Sequence, residues 1–387
     1  MIPRLALPSL HRLAAGFPII ALTGPRQSGK STLARIAFPA KPYISLEDPD
    51  EREFAERDPR GFLARFPEGA IFDEAQRCPA LFSYLQAIVD EHRQVGQFIL
   101  TGSQQFGLMS GITQSLAGRV GMVQLLPLSL AELQTASLAP ASLDTLLWQG
   151  TYPALYDRSL APGDWFAAYV TTYLERDVRQ LLAVRDLSQF QRFVRMCAAR
   201  SGQLLNLSAL ASDCGISHVT AREWLSVLET SYLVTLLRPY HRNFGKRLTK
   251  SPKLYFLDVG LMAYLLGIRD PDSLAIHAQR GALFETWVVS EAVKQSFNAG
   301  RLADLHFWRD GSGNEVDLLH ETPAGLQASE IKSGATFAAD WPNAAQRFAR
   351  LAETPLPPWI IYGGKQSYTR ENCRVIAWQE LPQQEFS

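Results

Sequence analysis

The sequence has few cysteines and no long hydrophobic run. Its 387 residues include four cysteines, which lie far apart with no C-x-x-C pair: Cys78, Cys197, Cys214 and Cys373. This spacing argues against a disulfide framework or a cysteine zinc site, and it fits a reducing compartment. No apolar run reaches the length of about 18 residues that a membrane-spanning helix needs. The N-terminal segment is interrupted by prolines and is a poor secretion signal, so we expect a cytoplasmic protein.

The sequence also has no excess of either charge. Lysine and arginine total 38, and aspartate and glutamate total 38, so any affinity for nucleic acid must come from a local basic patch. Hydrophobic residues make up 47% and charged residues 20%, which excludes a largely disordered or collagen-like chain. The length is typical of two or three domains.

Five short apolar runs alternate with helix-compatible segments in the first third of the chain. Runs of this length fit buried strands, and their alternation with helices predicts an α/β fold with a parallel sheet. The predicted strands are 17–24, 41–47, 69–75, 97–103 and 120–129, and the predicted helices between them are 30–37, 50–65, 80–92 and 113–117.

The first run ends in a complete phosphate-binding motif. The segment from Gly24 to Ser31, GPRQSGKS, satisfies G-x-x-x-x-G-K-[ST] and lies between a predicted strand and a predicted helix. The glycines allow main-chain N–H groups to point at phosphate oxygens, and the helix N-terminus adds partial positive charge. Lys30 would reach the β- and γ-phosphates, and the Ser31 hydroxyl would bind Mg²⁺.

Polar residues at the ends of later strands complete the predicted site. Asp73 would bind Mg²⁺ through water, and Glu74 would polarise the attacking water. The next strand ends in the segment 101–104 (TGSQ), where a polar side chain such as Thr101 could contact the γ-phosphate or that water. Arg119 could stabilise developing negative charge in its own site or in that of a neighbouring copy; a structural role is the alternative.

Residues 203–232 have the pattern of a helix-turn-helix. Leu204, Leu207, Leu210 and Ala211 would form one helical face, and a turn follows at Gly215. The second helix would begin after the N-cap Ser217, with Val219, Trp224, Leu225 and Leu228 inward and His218, Thr220, Ala221 and Arg222 outward as candidate DNA contacts.

A predicted hairpin with a basic tip follows and suggests a winged helix. It carries six basic residues and no acidic ones between 238 and 253: Arg238, Arg242, Lys246, Arg247, Lys250 and Lys253. Such a stretch would bind double-stranded DNA with little dependence on the base sequence, and its affinity would fall as the salt concentration rises. Protein docking or a nucleotide lid is the alternative role.

Carboxylates in the last third of the chain have the order found in PD-(D/E)xK nucleases. Glu285 lies on a predicted helix, Asp317 on a strand, and Glu330 and Lys332 on one face of the next strand. The three acids could bind Mg²⁺, and Lys332 could orient the nucleophile. The alternative is an ordinary α/β domain with a surface ion pair between Glu330 and Lys332.

Many separated motifs resemble a widespread prokaryotic family of AAA-type ATPases whose C-terminal domain of unknown function has a restriction-endonuclease-like core. The motifs are GPRQSGKSTL, IFDEAQ, FILTGSQ, SLAGR, PLSLAEL, GTYPAL, TYLERDV, KLYFLDVGL, RGALFETWV, FWRDGSGNEVDLL and EIKSG. Two positions depart from the family pattern, because Thr101 replaces a frequent asparagine and Val316, not proline, precedes Asp317.

The resemblance implies an assignment for each site residue. ATP would be bound by Gly24, Pro25, Arg26, Gln27, Ser28, Gly29, Lys30, Ser31 and Thr32. Asp73 and Glu74 would serve Mg²⁺ and water, and Glu285, Asp317, Glu330 and Lys332 would fill the nuclease positions.

Motifs and resemblance together predict four segments. They are an AAA-type P-loop ATPase domain over 1–135, a helical linker or lid region over 136–200, a winged helix over 201–275 and a nuclease-like α/β domain over 276–387. We expect a Mg²⁺-dependent ATPase whose nucleotide state controls a DNA-engaging C-terminal half. An oligomer is compatible with this prediction. Two alternatives are a metal-dependent DNA nuclease regulated by ATP and a non-catalytic ATP-gated regulatory scaffold.

Overall fold

The computed structural model describes residues 2–103, 116–158, 160–174, 187–240 and 250–386. Among these residues, no helix is both long and apolar enough to cross a membrane. The helices of the first 200 residues are α1 (Leu7–Ala14), α2 (Lys30–Ala37), α3 (Pro49–Arg57), α4 (Pro59–Ala64), α5 (Leu81–His92), α6 (Leu130–Thr135), α7 (Leu143–Gln149), α8 (Ala154–Asp157), α9 (Pro162–Tyr169) and α10 (Leu187–Ala199). Those that follow are α11 (Leu207–Cys214), α12 (His218–Thr230), α13 (Val259–Leu265), α14 (Pro271–Ala275), α15 (Arg280–Asn298) and α16 (Asn343–Ala352).

The first sheet has five parallel strands in the order β2-β3-β4-β1-β5. They are β1 (Ile19–Thr23), β2 (Tyr43–Ser45), β3 (Ile71–Asp73), β4 (Phe98–Gly102) and β5 (Val120–Gln124). The predicted parallel sheet is therefore confirmed, with each strand inside its predicted run. The apolar residues of the three interior strands β1, β3 and β4 are buried between helices on both faces, as parallel sheets require.

Helices α2 and α5 occupy the predicted segments, whereas the predicted helix 50–65 is divided in two. Asp58 ends α3 and caps α4 by accepting a hydrogen bond from the N–H of Gly61, and Pro59 opens α4. Proline removes a helical N–H donor and disfavours helical conformation in the residue before it, so the chain breaks there. Most of the predicted helix 113–117 lies outside the described residues.

The second sheet has eight strands in the order β12-β13-β11-β10-β9-β8-β6-β7. They are β6 (Val234–Pro239), β7 (Lys253–Phe256), β8 (Leu305–Arg309), β9 (Glu315–Thr322), β10 (Gly325–Lys332), β11 (Trp359–Tyr362), β12 (Tyr368–Arg370) and β13 (Cys373–Ala377). Strands β6 and β7 form the predicted antiparallel hairpin, whose tip at 241–249 lies outside the described residues. Because β6 also pairs with β8, the sheet crosses the boundary predicted at residue 275.

Helix α15 connects the two halves of the chain through buried polar contacts. Lys294 donates to the carbonyl oxygen of Leu128 (3.0 Å), to Thr151 Oγ1 (3.0 Å) and to Glu291 Oε1 (2.8 Å). Glu291 in turn accepts from the N–H of Leu130 at the start of α6 (2.7 Å). The segment that follows β5 is thereby fixed to the core of the C-terminal half.

We predict that Lys294→Met lowers the free energy of unfolding by about 3 kcal/mol, because it leaves the buried carboxylate of Glu291 without its counter-charge. Equilibrium urea denaturation measures the change. Lys365→Met removes an exposed lysine and is the matched control, with an expected change within about 0.5 kcal/mol. Equal stability of the two variants would contradict the assignment of this junction.

Candidate functional site

The predicted phosphate loop lies between β1 and α2, at the carboxyl end of the parallel sheet. Gly24 and Gly29 have φ angles of 149° and 93°, which favour glycine, and Gln27 is also left-handed at 59°. A Cβ atom on Gly24 would collide with the carbonyl oxygen of Leu125, which directly follows β5. The loop conformation therefore depends on glycine at this position.

The Lys30 ammonium lies inside this loop. It donates to the carbonyl oxygens of Gly24 (3.0 Å) and Pro25 (2.8 Å). Burial lowers the pKa of Lys30 to about 8, an effect that the carboxylates of Glu74 and Asp73 offset only in part. Lys30 is thus a buried amine held by two main-chain carbonyl oxygens of the loop.

Asp73 has three hydroxyl donors around its carboxylate. Ser31 Oγ donates to Oδ1 (2.9 Å), Tyr43 OH donates to Oδ2 (2.6 Å), and the hydroxyl of Thr101 also donates to Oδ1. Oxygen donors of this kind suit Mg²⁺, and Ser31 and Asp73 are the adjacent pair that would hold it. The structure directs Thr101 at Asp73, so Thr101 positions this carboxylate.

Glu74 is held beside Asp73 in a left-handed conformation (φ 53°, ψ 45°), which is rare for a residue with a side chain. Its Oε2 accepts from Ser103 Oγ (3.0 Å) and from Gln76 Nε2 (2.5 Å). Gln76 was not recognised in the sequence. Gln104, another polar residue of the predicted segment 101–104 at the end of β4, lies outside the described residues.

A cavity of about 630 Å³ opens in front of these residues. Its size is in the range of small-molecule sites. The phosphate loop, Glu47, Asp73 and Glu74 line it together with a second group of residues, here called the second wall: Ile2, Leu128, Pro153, Ala154, Asp157 and Arg158. This second wall was missed in the sequence, although part of it belongs to the GTYPAL motif.

Arg4 is a second contact that the sequence did not reveal. Its guanidinium donates to the carbonyl oxygens of Ser28 (2.6 Å) and Leu126 (2.7 Å) and to Glu132 Oε1 (3.0 Å). Glu132 is fully buried and completes a capping box with Ser129. Arg4 therefore fixes the phosphate loop to the start of α6. Its partners Ser28 and Glu132 lie 24 and 128 residues away in sequence.

Arg119 lies at the opposite end of the sheet. It directly precedes β5, its carbonyl oxygen accepts from the N–H of Ile19 at the start of β1, and its side chain forms an exposed ion pair with Asp90 (2.6 Å). The phosphate loop follows the other end of β1. Arg119 therefore cannot act in its own site, and a role in the site of a neighbouring copy stays a prediction.

The predicted nuclease residues are only partly brought together. The antiparallel register of β9 and β10 places Asp317 beside Glu330 and Lys332. Lys332 Nζ lies 2.8 Å from Glu330 Oε2 and 3.3 Å from Asp317 Oδ2. Burial, together with Asp317, raises the pKa of Glu330 to about 8.

Glu285 has different partners. Its Oε1 accepts from Lys253 Nζ (3.0 Å) and Tyr255 OH (2.6 Å), both on the hairpin strand β7. Within the described part of the chain, no three histidine, cysteine or acidic residues are arranged so that they could hold a metal ion. In this structure Glu285 is thus paired with Lys253 and Tyr255, and a Mg²⁺ shared by Glu285, Asp317 and Glu330 stays a prediction.

The helix pair α11–α12 forms with Gly215 in the turn and Ser217 as N-cap, but the phase of α12 differs from the prediction. Ala221 is fully buried and Val219 is 63% exposed, the reverse of what was expected. The buried face of α12 contains Ala221, Trp224, Leu225 and Leu228, which follow the helical repeat. His218 and Arg222 are exposed as predicted, and Thr220 is partly exposed.

Of the six basic residues predicted to contact DNA, three lie in the described part of the chain. Arg238 and Lys250 are exposed, whereas Lys253 is buried in ion pairs. Lys253 is therefore not available to a phosphate backbone, because its side chain is directed inward to the carboxylates of Glu285 on α15 and Glu315 on β9.

Comparison with known protein families divides the chain into three matched regions. Residues 16–134 match the AAA domain, residues 140–272 match a domain of unknown function (DUF8612), and residues 280–381 match another domain of unknown function (DUF4143). Uncharacterised proteins of Mycobacterium bovis and Mycobacterium tuberculosis are each 33% identical over 335 residues, which cover 85% of this chain and 72% of each relative.

The chain belongs to the family of these mycobacterial proteins. Its first domain is an AAA-type P-loop domain that supports ATP binding. Solved structures with weaker similarity include a Walker-type ATPase of Pyrococcus abyssi, with 16% identity and a TM-score of 0.46 over 67% of this chain and 94% of that one. AMPPCP-bound DnaA from Aquifex aeolicus has 15% identity and a TM-score of 0.29 over 58% of this chain and 86% of that one.

The low pKa of Lys30 makes nucleotide binding by the AAA domain pH-dependent. Phosphate oxygens favour the charged ammonium, so binding of MgATP should raise the pKa of Lys30 above about 8. We predict uptake of about half a proton per nucleotide at pH near 8, and weaker binding as pH rises further. Calorimetry in buffers of different ionisation enthalpy measures the uptake.

Lys30→Arg is the matched control, because a guanidinium stays charged over this range and should bind without proton uptake. Identical proton uptake by wild type and Lys30→Arg would show that Lys30 is not the group that titrates.

Proposed function

We propose that the protein hydrolyses ATP in a Mg²⁺-dependent reaction at the AAA domain. The observation that carries the proposal is the contact of 2.9 Å between Ser31 Oγ and Asp73 Oδ1, beside the buried ammonium of Lys30. It brings the hydroxyl and the carboxylate that Mg²⁺ requires to the same end of the cavity as the phosphate-binding loop.

Each residue has a separate task in this proposal. Main-chain N–H groups of the loop and Lys30 bind the phosphates, Ser31 and Asp73 hold Mg²⁺, and Glu74 accepts a proton from the attacking water. A bound Mg²⁺ would neutralise charge on the phosphates. Ser103 and Gln76 hold Glu74 in the orientation that this task needs.

The second wall of the cavity supports binding of the base and sugar of a nucleotide. Ile2, Leu128, Pro153 and Ala154 offer apolar surface, and the polar side chains of Asp157 and Arg158 accompany them. A planar base and its sugar need this combination of apolar contact and a few polar groups.

We predict that Glu74→Gln retains ATP binding but lowers turnover at least about 100-fold, because the amide cannot accept the proton. Lys30→Ala should lose turnover through loss of binding. A phosphate-release assay measures turnover, and calorimetry measures binding.

Glu56→Gln is the matched control, since it makes the same chemical change at an exposed position on α3. Its turnover should equal that of wild type. Undiminished turnover in both Glu74→Gln and Lys30→Ala would refute the site.

We further propose that the nucleotide state controls the C-terminal half. Thr23 Oγ1, one residue before the phosphate loop, lies 2.7 Å from Tyr232 OH, and Gln124 Nε2 donates to the same hydroxyl (3.3 Å). Tyr232 is buried and connects α12 to β6 with a left-handed backbone (φ 57°). A shift of the loop on release of phosphate would therefore reach the helix pair and the hairpin through one side chain.

Double-stranded DNA is the partner that we propose for this half. The exposed groups that support it are His218 and Arg222 on α12 and Arg238 and Lys250 on the hairpin. Such contacts would be mainly to phosphates, so affinity should fall steeply with salt.

We predict that Tyr232→Phe abolishes the difference in DNA affinity between the ATP and ADP states, because phenylalanine keeps the packing and removes only the hydroxyl. Fluorescence anisotropy of a labelled duplex at fixed salt measures both affinities, in a Glu74→Gln background that holds ATP intact. Tyr84→Phe, at a partly buried position in the AAA domain, is the control. A nucleotide effect that persists undiminished in Tyr232→Phe would contradict this route.

A further inference from the structure

One buried lysine of the C-terminal half has no part in nucleotide binding. Lys253, the first residue of β7, has a side chain that is only 3% exposed. Its Nζ lies 3.0 Å from Glu285 Oε1 and 2.5 Å from Glu315 Oε1. These two carboxylates belong to α15 and β9, so a single ammonium connects three elements.

The lysine also lies in the region where a nuclease would bind its metal. Glu285 and Asp317 are close enough for each charge to influence the other, and Asp317 also acts on Lys253. On the other side, Lys332 Nζ lies between Asp317 and Glu330. Two ammonium groups thus supply to these acids the two positive charges that one divalent cation would bring.

Lys253 cannot easily leave this position. Its main chain pairs with Leu237 in the hairpin and forms a bridge with Leu204, which fixes the point from which the side chain extends. Glu315 is fixed as well, because its second oxygen accepts from Arg309 Nη1 (2.9 Å). Separation of such a buried pair would leave charges without partners, which is strongly unfavourable.

Burial and charge also determine the protonation of this lysine. Burial alone would lower the pKa of Lys253, but Glu285, Asp317 and Glu315 outweigh it and raise that pKa above its ordinary value.

We propose that the Lys253 ammonium takes the place of a divalent cation in this carboxylate cluster. The cluster is then an ion-paired joint that holds the hairpin β6–β7 against α15 and β9, and the C-terminal domain works without a metal and does not cut DNA. The inference is independent of ATP hydrolysis, because none of its residues lines the nucleotide cavity.

Titration of the full chain with Mn²⁺ tests the proposal, with bound metal counted by electron paramagnetic resonance. All proteins carry Asp73→Asn, which silences the proposed Mg²⁺ position of the AAA domain. With Lys253 intact, the protein and its Asp317→Asn variant should bind the same amount of Mn²⁺. Lys253→Met should gain one Mn²⁺ site per chain, and the further change Asp317→Asn should remove it. Lys253→Arg keeps the positive charge and should gain none.

Two results would overturn the proposal. One is a Mn²⁺ site in the protein with Lys253 intact that disappears with Asp317→Asn. The other is a folded Lys253→Met variant, verified by circular dichroism, that gains no site. The comparison of Asp317→Asn with its parent needs no change at Lys253, so equal uptake supports the proposal and lower uptake contradicts it even where Lys253→Met does not fold.

Discussion

The hydrogen bond between Thr23 and Tyr232 connects the strand that presents the phosphate loop to the helix pair and hairpin of the C-terminal half. Both side chains are buried, so water does not compete for either hydroxyl. The bond meets the chain one residue before Gly24, where the backbone conformation depends on glycine. A small displacement at the phosphates would therefore be transmitted without an intervening flexible segment.

The nucleotide site itself depends on a buried polar network in which side chains hold other side chains. Asp73 is oriented by Ser31, Tyr43 and Thr101, and Glu74 by Ser103 and Gln76. Such networks restrict a site to one geometry when every member has a partner. Arg4 extends the same principle to the loop backbone, since it binds the carbonyl oxygen of Ser28 from a helix-flanking position near the N-terminus.

The eight-stranded sheet makes the hairpin and the C-terminal α/β region one packed body. Strand β6 pairs with β8, and one buried hydrophobic cluster contains residues from Leu126 to Phe386. The ion pairs of Lys253 and Lys294 add polar links at two further places. We propose that motion transmitted through Tyr232 therefore acts on the C-terminal half as a unit.

The local parts of this structure could be predicted from the sequence, and the long-range contacts could not. The phosphate loop is contiguous in sequence, and Asp73 and Glu74 end a recognisable strand. Strand alternation puts Glu330 and Lys332 on one face, and a hairpin register can bring Asp317 beside them. No such signal marks Arg4, Tyr232 or Lys253, because their partners lie far away in sequence. The residues next to them in sequence do not show which distant group each side chain contacts. The predicted orientations of Ala221 and Val219 were wrong because helical phase is decided by which residues meet the core. The motif around Arg119 likewise does not reveal at which end of the strand this residue lies.

Hydrogen exchange of the Glu74→Gln variant, compared between MgATP and MgADP, tests the central connection most directly. The account predicts different protection in the two states both at residues 24–32 and at the turn around Tyr232. Protection that differs at residues 24–32 alone would contradict it.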